Sequence, residues 1–369
     1  MFFLLGAAVV CIPGAILLTR KKDCPTPSPS PQPPAWNISD YQSNSDYYGA
    51  LTNVRDFTQA DNLRLDHLSS PRFHPKNGRS AVYLRKQYHM PDSSKSSTTL
   101  HWIDLETKKT VQLTRPIWGI NDQQFYWIRD STILFLSNRA SSGLTQLYQL
   151  NLPDDVSAMA NFLDPIQMTD YPLDMNNLVV NRQATRLAFS CQVYANLSIQ
   201  ETANRQAAEK ASGTSVYKFD KLFIRHWDEY MLGPRHHPFV VSIEQDARGW
   251  FNLTSAPIDV LFGVDSDSPT RPFGDAKVQW SFSASGNRFA YTRQHDETSA
   301  VAWSTNLDIY TVDLNAQPSF ITSCLTCDNL AADTDPSYSP VDDNVLVYRS
   351  QSVPGYESDQ FKLKMSNGK

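Results

Sequence analysis

Cys324-Leu325-Thr326-Cys327 sets two thiols at a spacing that closes a small disulfide in an oxidising compartment; a pair of ordinary thiols is the alternative. A zinc site there would need a second pair of ligands close by in the sequence, and none stands near it. His226, His236 and His237 raise metal chemistry again. Nine residues separate the first two and none the last two, which is no ligand spacing, so packing or surface placement is expected and no metal or other cofactor is implied. Cys191 falls in an alternating stretch and reads as a small buried hydrophobe. Asn37-Ile38-Ser39, Asn196-Leu197-Ser198 and Asn252-Leu253-Thr254 are acceptor triplets for N-linked glycan.

These residues need a scaffold, and composition bounds it. The chain has 369 residues, a length for two domains or one large one. Hydrophobic residues make up 41% and charged residues 19%, enough apolar surface to bury a core and too little charge for a disordered chain. With 33 Lys+Arg against 38 Asp+Glu, the net charge of -5 offers no footprint for nucleic acid. Five cysteines are too few for a disulfide scaffold.

Residues 2–18 carry no charge and form an apolar run at the short edge of a membrane span. Arg20, Lys21 and Lys22 follow it, which by the positive-inside rule favours a cytoplasmic body. The sequons and the cysteine pair point the other way. The expectation is therefore a signal anchor or signal peptide over 1–23, holding the bulk of the chain outside the cytosol, membrane-anchored or secreted. Residues 24–35 hold six prolines and read as an extended stalk, so 24–64 is assigned as stalk and lead-in. No Arg or Lys flanks the C-terminal side at the spacing of an SH3 ligand.

From about residue 65 onward short apolar alternations repeat between turn signals. Ala81-Val82-Tyr83-Leu84, then Leu100-His101-Trp102-Ile103-Asp104-Leu105, then Val111-Gln112-Leu113-Thr114 are matched in order by Ile133-Leu134-Phe135-Leu136, Leu147-Tyr148-Gln149-Leu150-Asn151-Leu152 and Ile166-Gln167-Met168-Thr169. The same order returns at Arg288–Thr292 and Leu307–Leu314. Units open at Ser70, Phe125, Leu178, Val278 and Pro336, near 50 residues apart with one gap about twice that. Four short strands per repeat of that length predict an all-β propeller of four-stranded blades, incomplete at about four to five blades over 65–369, behind one N-terminal apolar helix. A β-sandwich or two unrelated β domains would not repeat the wording five times. Asp104, Asn151 and Asp313 are expected to tie turns through their side chains. The wide gap holds an insertion. Residues 198–212 suit a surface helix with Ser198 and Glu201 as a capping box, and Pro238–Ile243 resumes the blade.

LFIRHWDEYMLGPRHHPFVV (222–241), LSNRASSGLTQLYQLNL (136–152) and VPGYESDQFKLKM (353–365) resemble the N-terminal propeller of the prolyl oligopeptidase family of serine peptidases, in its type V dipeptidyl-peptidase and acylaminoacyl-peptidase branch. The resemblance covers roughly 65–367. It implies a propeller that gates and orients short peptide substrates for an α/β-hydrolase domain downstream. In such a domain a Ser in a G-x-S-x-G elbow, an Asp and a His do the chemistry. Gly213-Thr214-Ser215-Val216-Tyr217 is the nearest string here and lacks the second glycine, so no catalytic residue is assigned. The resemblance also implies that acidic residues on a propeller insertion bind a substrate's free amine. Asp228 and Glu229 fill that place, with Arg225 and Trp227 beside them as substrate-binding candidates. A carboxylate pair supplies charge-assisted acceptors to an ammonium. The alternative is a salt bridge from the pair to Arg225 or Arg235. Trp227 and Tyr230 either flank a pocket or wedge a blade junction. A non-catalytic propeller acting as a protein-interaction module is the second functional expectation.

Overall fold

The computed structural model describes residues 56–89, 94–316 and 322–367. The apolar run, the proline-rich segment and Asn37 lie outside them. Among the described residues no helix is long and apolar enough to cross a membrane. Thr58–Lys369 is one compact unit. It starts with α1 (Gln59–Arg64), capped by Thr58.

The rest is all-β and propeller-like. The first sheet is β1 (His67–Phe73), β2 (Ser80–Tyr88), β3 (Ser96–Asp104) and β4 (Thr110–Gln112), antiparallel in chain order. The second repeats it with β5 (Asp122–Trp127), β6 (Thr132–Ser137), β7 (Gln146–Asn151) and β8 (Ile166–Gln167). In the third, β9 (Asn176–Val180) and β10 (Arg186–Val193) precede the insertion, which contains α2 (Ile199–Ala211), β11 (Arg225–His226) and β12 (Glu229–Tyr230). The sheet resumes with β13 (Arg235–Gln245), β14 (Phe251–Leu253) and a short β15 (Ile258–Asp259). The helix α3 (Ala276–Gln279) leads into the fourth sheet, β16 (Trp280–Phe282), β17 (Arg288–Arg293), β18 (Asp308–Asp313) and β19 (Thr322–Cys324). A fifth sheet has three strands, β20 (Asp333–Tyr338), β21 (Leu346–Ser350) and β22 (Lys362–Ser366).

Each core lies between two consecutive sheets, because a central strand buries both of its faces. Along β6 the period of two sends Ile133 and Phe135 into a core with Val82, Leu84 and Leu100 of the first sheet. Leu134 and Leu136 go the other way, against Leu187 and Phe189 of the third. Ala188 and Val240 meet Phe289 and Tyr291 of the fourth sheet, and Ala290 and Ile309 meet Tyr338 and Leu346 of the fifth. A continuous apolar run such as Ile133–Leu136 is thus the signature of a strand sandwiched between neighbours.

The recurring threonine has a shared task. The Thr114 hydroxyl accepts from Leu100 N at 3.0 Å and donates to Asp122 at 2.6 Å. Thr169 accepts from Leu147 N at 2.9 Å and donates to Gln146 at 2.9 Å. Thr326 accepts from Ile309 N at 2.9 Å and donates to Asp308 at 3.1 Å. Each pins the end of a fourth strand to the third where the backbone ladder stops. Asp104 and Asp313 accept turn amides at 2.8–2.9 Å, as expected of them. Asn151 instead accepts from the Thr132 hydroxyl on the adjacent strand at 3.0 Å.

The repeated unit openings hide a β-bulge. Ser70, Gln124, Asn177 and Asp335 have φ between 45° and 57°, each where the first strand of a sheet slips register against the second. Left-handed backbone costs a non-glycine residue about 1–2 kcal/mol. Side-chain bonds offset it: Gln124 accepts from Leu178 N of the next sheet at 2.8 Å, Asn177 donates to Ser190 at 2.8 Å, and Asp335 pairs with Arg349.

Candidate functional site

The insertion in the third sheet carries the candidate residues. Ser198 and Glu201 form the capping box at the start of α2, and Ile199 and Thr202 are buried beneath it. At its other end Glu209 accepts from the Tyr194 hydroxyl at 2.9 Å and from Arg205 Nε at 2.9 Å. The Arg205 guanidinium stands 3.7 Å from the Tyr194 ring centroid, so the tyrosine is held from both sides. Gly233 has φ +90°, and a Cβ there would lie 2.9 Å from the Tyr194 ring. Only glycine lets the chain return to β13 this close to the tyrosine.

The two-stranded ribbon β11–β12 pairs Arg225 with Tyr230 and His226 with Glu229. Trp227 and Asp228 form its tip, with Trp227 at φ 44°. Trp227 is 68% exposed and stands edge-on to Phe273 at 5.2 Å, so it fills no blade junction. Tyr230 is also exposed, against Tyr217 and Phe219. Arg225 and Asp228 are exposed and make no ion pair among the described residues.

Glu229 pairs with neither Arg225 nor Arg235. Its partner is Arg271, at 3.3 Å, and Arg271 also meets Asp267 at 3.1 Å. Arg235 is committed elsewhere, to Asp265 at 2.8 Å and the Thr298 hydroxyl at 2.7 Å. Asp267 is fully enclosed, and burial raises its pKa against the pull of Arg271. Arg271 is half-buried, and its Nη2 is enclosed without a hydrogen-bond partner. Tyr194, Glu209, Asp228, Glu229, Tyr230 and Arg271 line one cleft of about 500 Å³. Three carboxylates and an arginine therefore line a shared space. That arrangement suits an ammonium beside a carbonyl oxygen. Glu209 and Arg271 are new to the site, brought in by the fold.

The histidines serve packing. His237 is buried, with Nδ1 2.8 Å from Asp259 and Nε2 donating to the Val264 carbonyl at 3.0 Å. Burial holds His236 down at about 3 and His101 of the first sheet at about 4. Both rings stay neutral in the fold at pH values where the unfolded chain, with its ordinary value of 6.5, takes up protons. Stability is then fully present above about 6.5 and falls as pH drops toward these lowered values, with a slope of up to one proton per ring. Urea midpoints between pH 7 and 5 should fall more steeply for the natural chain than for a His101→Gln/His236→Gln variant; equal slopes would refute this assignment.

Cys191 is buried, and burial pushes its thiol up. Cys324 and Cys327 are joined as a disulfide with a Cα separation of 5.8 Å. Asn196 is exposed in the turn before α2, and Asn252 is exposed on β14. Ser215 sits in an exposed segment without regular structure, and no histidine is bonded to it.

No family model matches the chain. Among curated proteins, dipeptidyl-peptidase 4 of Giardia intestinalis is 23% identical over 349 residues, covering 84% of this chain and 43% of that protein. The Emericella nidulans protein named "Probable dipeptidyl-peptidase 5" is 27% identical over 292 residues, covering 77% and 38%. Dipeptidyl-peptidase 5 of Schizosaccharomyces pombe is 22% identical over 292 residues, covering 78% and 38%. The chain thus spans about two fifths of the length of these relatives. Among solved structures, prolyl oligopeptidase B from Galerina marginata aligns with a TM-score of 0.45 at 8% identity, over 82% of this chain and 34% of that one. With sequence relatives of one kind along most of its length and blades in series, the chain has a propeller-like fold and is similar in sequence to dipeptidyl peptidases 4 and 5.

Proposed function

We propose that this chain is the propeller portion of a serine peptidase that acts on short peptides, and that it gates and orients the substrate while the nucleophile lies outside this sequence. The observation that carries the reading is the cleft of Glu209, Asp228, Glu229 and Arg271 on an insertion of a dipeptidyl-peptidase relative. Asp228 has no bonded partner among the described residues and Glu229 is shared with Arg271, so both can accept from a peptide's terminal ammonium. Arg271, which lines the cleft beside Glu229, stands next to the place of the first carbonyl oxygen. A hydrogen bond to a charged group is worth about 1.5–3 kcal/mol, or roughly 10–100-fold in affinity.

The test is binding of a short peptide with a free amine, and of its N-acetylated twin, to the natural protein and to Asp228→Asn/Glu229→Gln. The free amine should bind about 10–100-fold more tightly than the acetylated form, and the double variant should erase that preference. An unchanged preference in the variant would exclude these carboxylates as the anchor. The bulk of the chain is assigned outside the cytosol, membrane-anchored or secreted. The apolar run 2–18, the exposed Asn196 and Asn252 sequons and the Cys324–Cys327 disulfide support that placement.

A further inference from the structure

We propose that Cys324, Cys327 and Asp308 form a binding site for a thiophilic divalent cation of the zinc class, masked while the disulfide is closed and opened by its reduction. No second pair of ligands stands near the cysteines in sequence, but the fold supplies a buried carboxylate from β18. The two sulfurs and a carboxylate oxygen of Asp308 all lie within 4.8 Å of one another. Tetrahedral zinc, with bonds of about 2.3 Å to sulfur and 2.0–2.2 Å to oxygen, needs ligand atoms about 3.5–3.8 Å apart, so small side-chain shifts suffice. Two cysteines separated by two residues are the usual chelating spacing for this metal.

The carboxylate is held in place. Asp308 is 8% exposed, with Oδ1 accepting from Thr326, the residue just before Cys327, and Oδ2 accepting from Asn306 Nδ2 at 3.0 Å. Such bonds orient a metal ligand from behind. A purely structural role leaves something unaccounted for. Asp308 and its electrostatic neighbour Asp333 are both buried, and neither forms an ion pair among the described residues. Arg293 acts on Asp308 and Lys364 on Asp333 through space without bonding them; buried carboxylates lacking a bonded cation are costly, and a divalent ion offsets that cost. The imidazole of His295 also acts on Asp308 electrostatically. Cys327 is exposed, so reductant and metal can reach the pair.

The chemistry balances with a dithiol as reductant. Its two thiols pass two electrons and two protons to the Cys324–Cys327 bond and close to a disulfide of their own. Zinc then displaces the two cysteine protons into solvent and forms two Zn–S bonds, while Asp308 binds as the carboxylate.

The experiment measures zinc retained after dialysis without oxygen, for oxidised and dithiol-reduced protein, together with the near-ultraviolet thiolate-to-metal band of the cobalt form. A Cys324→Ser/Cys327→Ser variant sets the background from Cys11, Cys24 and Cys191. The reduced natural chain should hold one zinc above that background and show the cobalt band, and the oxidised chain should hold none. Asp308→Asn, checked for folding by circular dichroism, should bind at least about tenfold more weakly. Zinc in the reduced chain no higher than in the double serine variant overturns the site. Equal affinity in a folded Asp308→Asn overturns the role of the carboxylate. If Asp308→Asn does not fold, the comparison of Cys327→Ser with the natural chain decides, since that side chain is exposed.

Discussion

Replacing Arg139 by alanine should cost about 3–5 kcal/mol of folding free energy, a fifth or more of the roughly 5–15 kcal/mol that a typical domain has. Its partner Asp122 opens β5, and the Asp122 side chain has no solvent exposure. Arg139 supplies the only full positive charge bonded to that carboxylate among the described residues; the Thr114 and Ser137 hydroxyls donate at 2.6 and 2.7 Å. Thr114 lies just past the end of the first sheet's last strand, so the buried charge ties two blades together. The guanidinium also lies over the rings of Phe135 and Tyr148, at 5.6 and 5.7 Å, and excludes water from the carboxylate. Alanine would leave an uncompensated charge behind. An exposed pair such as Lys218–Asp220 is worth only about 0–1 kcal/mol by comparison. Urea titration with an unchanged m-value checks the effect. Adding Asp122→Asn to Arg139→Ala should recover part of the loss, because the orphaned charge goes with it. A loss below about 1 kcal/mol would show that the charge is not what joins the sheets.

The blades were legible because their physics is local. Strands such as Ile133–Leu136 and Arg288–Thr292 declare themselves by apolar runs and alternation, and the ends of the repeats by Asp104 and Asp313, whose side chains bond amides two or three residues on. Ser198 and Glu201 show a helix start within four residues of sequence. Contacts between repeats were not legible. Gln124 tolerates a left-handed backbone because it bonds Leu178, 54 residues away. Asp122 carries no local mark of its partner Arg139. The site divides the same way. Asp228 and Glu229 were found by resemblance, but Glu209 reads as one more charge on a solvated helix until Tyr194 is seen to hold it. Arg271 lies 42 residues beyond Glu229, between cis Ser268-Pro269 and cis Arg271-Pro272 bonds that no spacing announces. Asp308 joins Cys324 and Cys327 only because β18 and β19 pair.

The largest effect expected of the protein's chemistry is all-or-none. A propeller that positions peptides without attacking them holds no activated serine, since activation needs a base within hydrogen-bond reach. Ser190 is the one serine with a described bond to a histidine, at 3.5 Å from His236 Nδ1; it is buried, and burial lowers the pKa of that imidazole to about 3. A ring so reluctant to take a proton is a poor general base. The direct measurement is labelling with a fluorophosphonate, which reacts with activated serines, followed by mapping of the modified peptide. The account predicts no labelled serine at any position of this sequence. A stoichiometric adduct on Ser190, Ser215 or any other serine between residues 58 and 367, lost on heat denaturation before labelling, would contradict it.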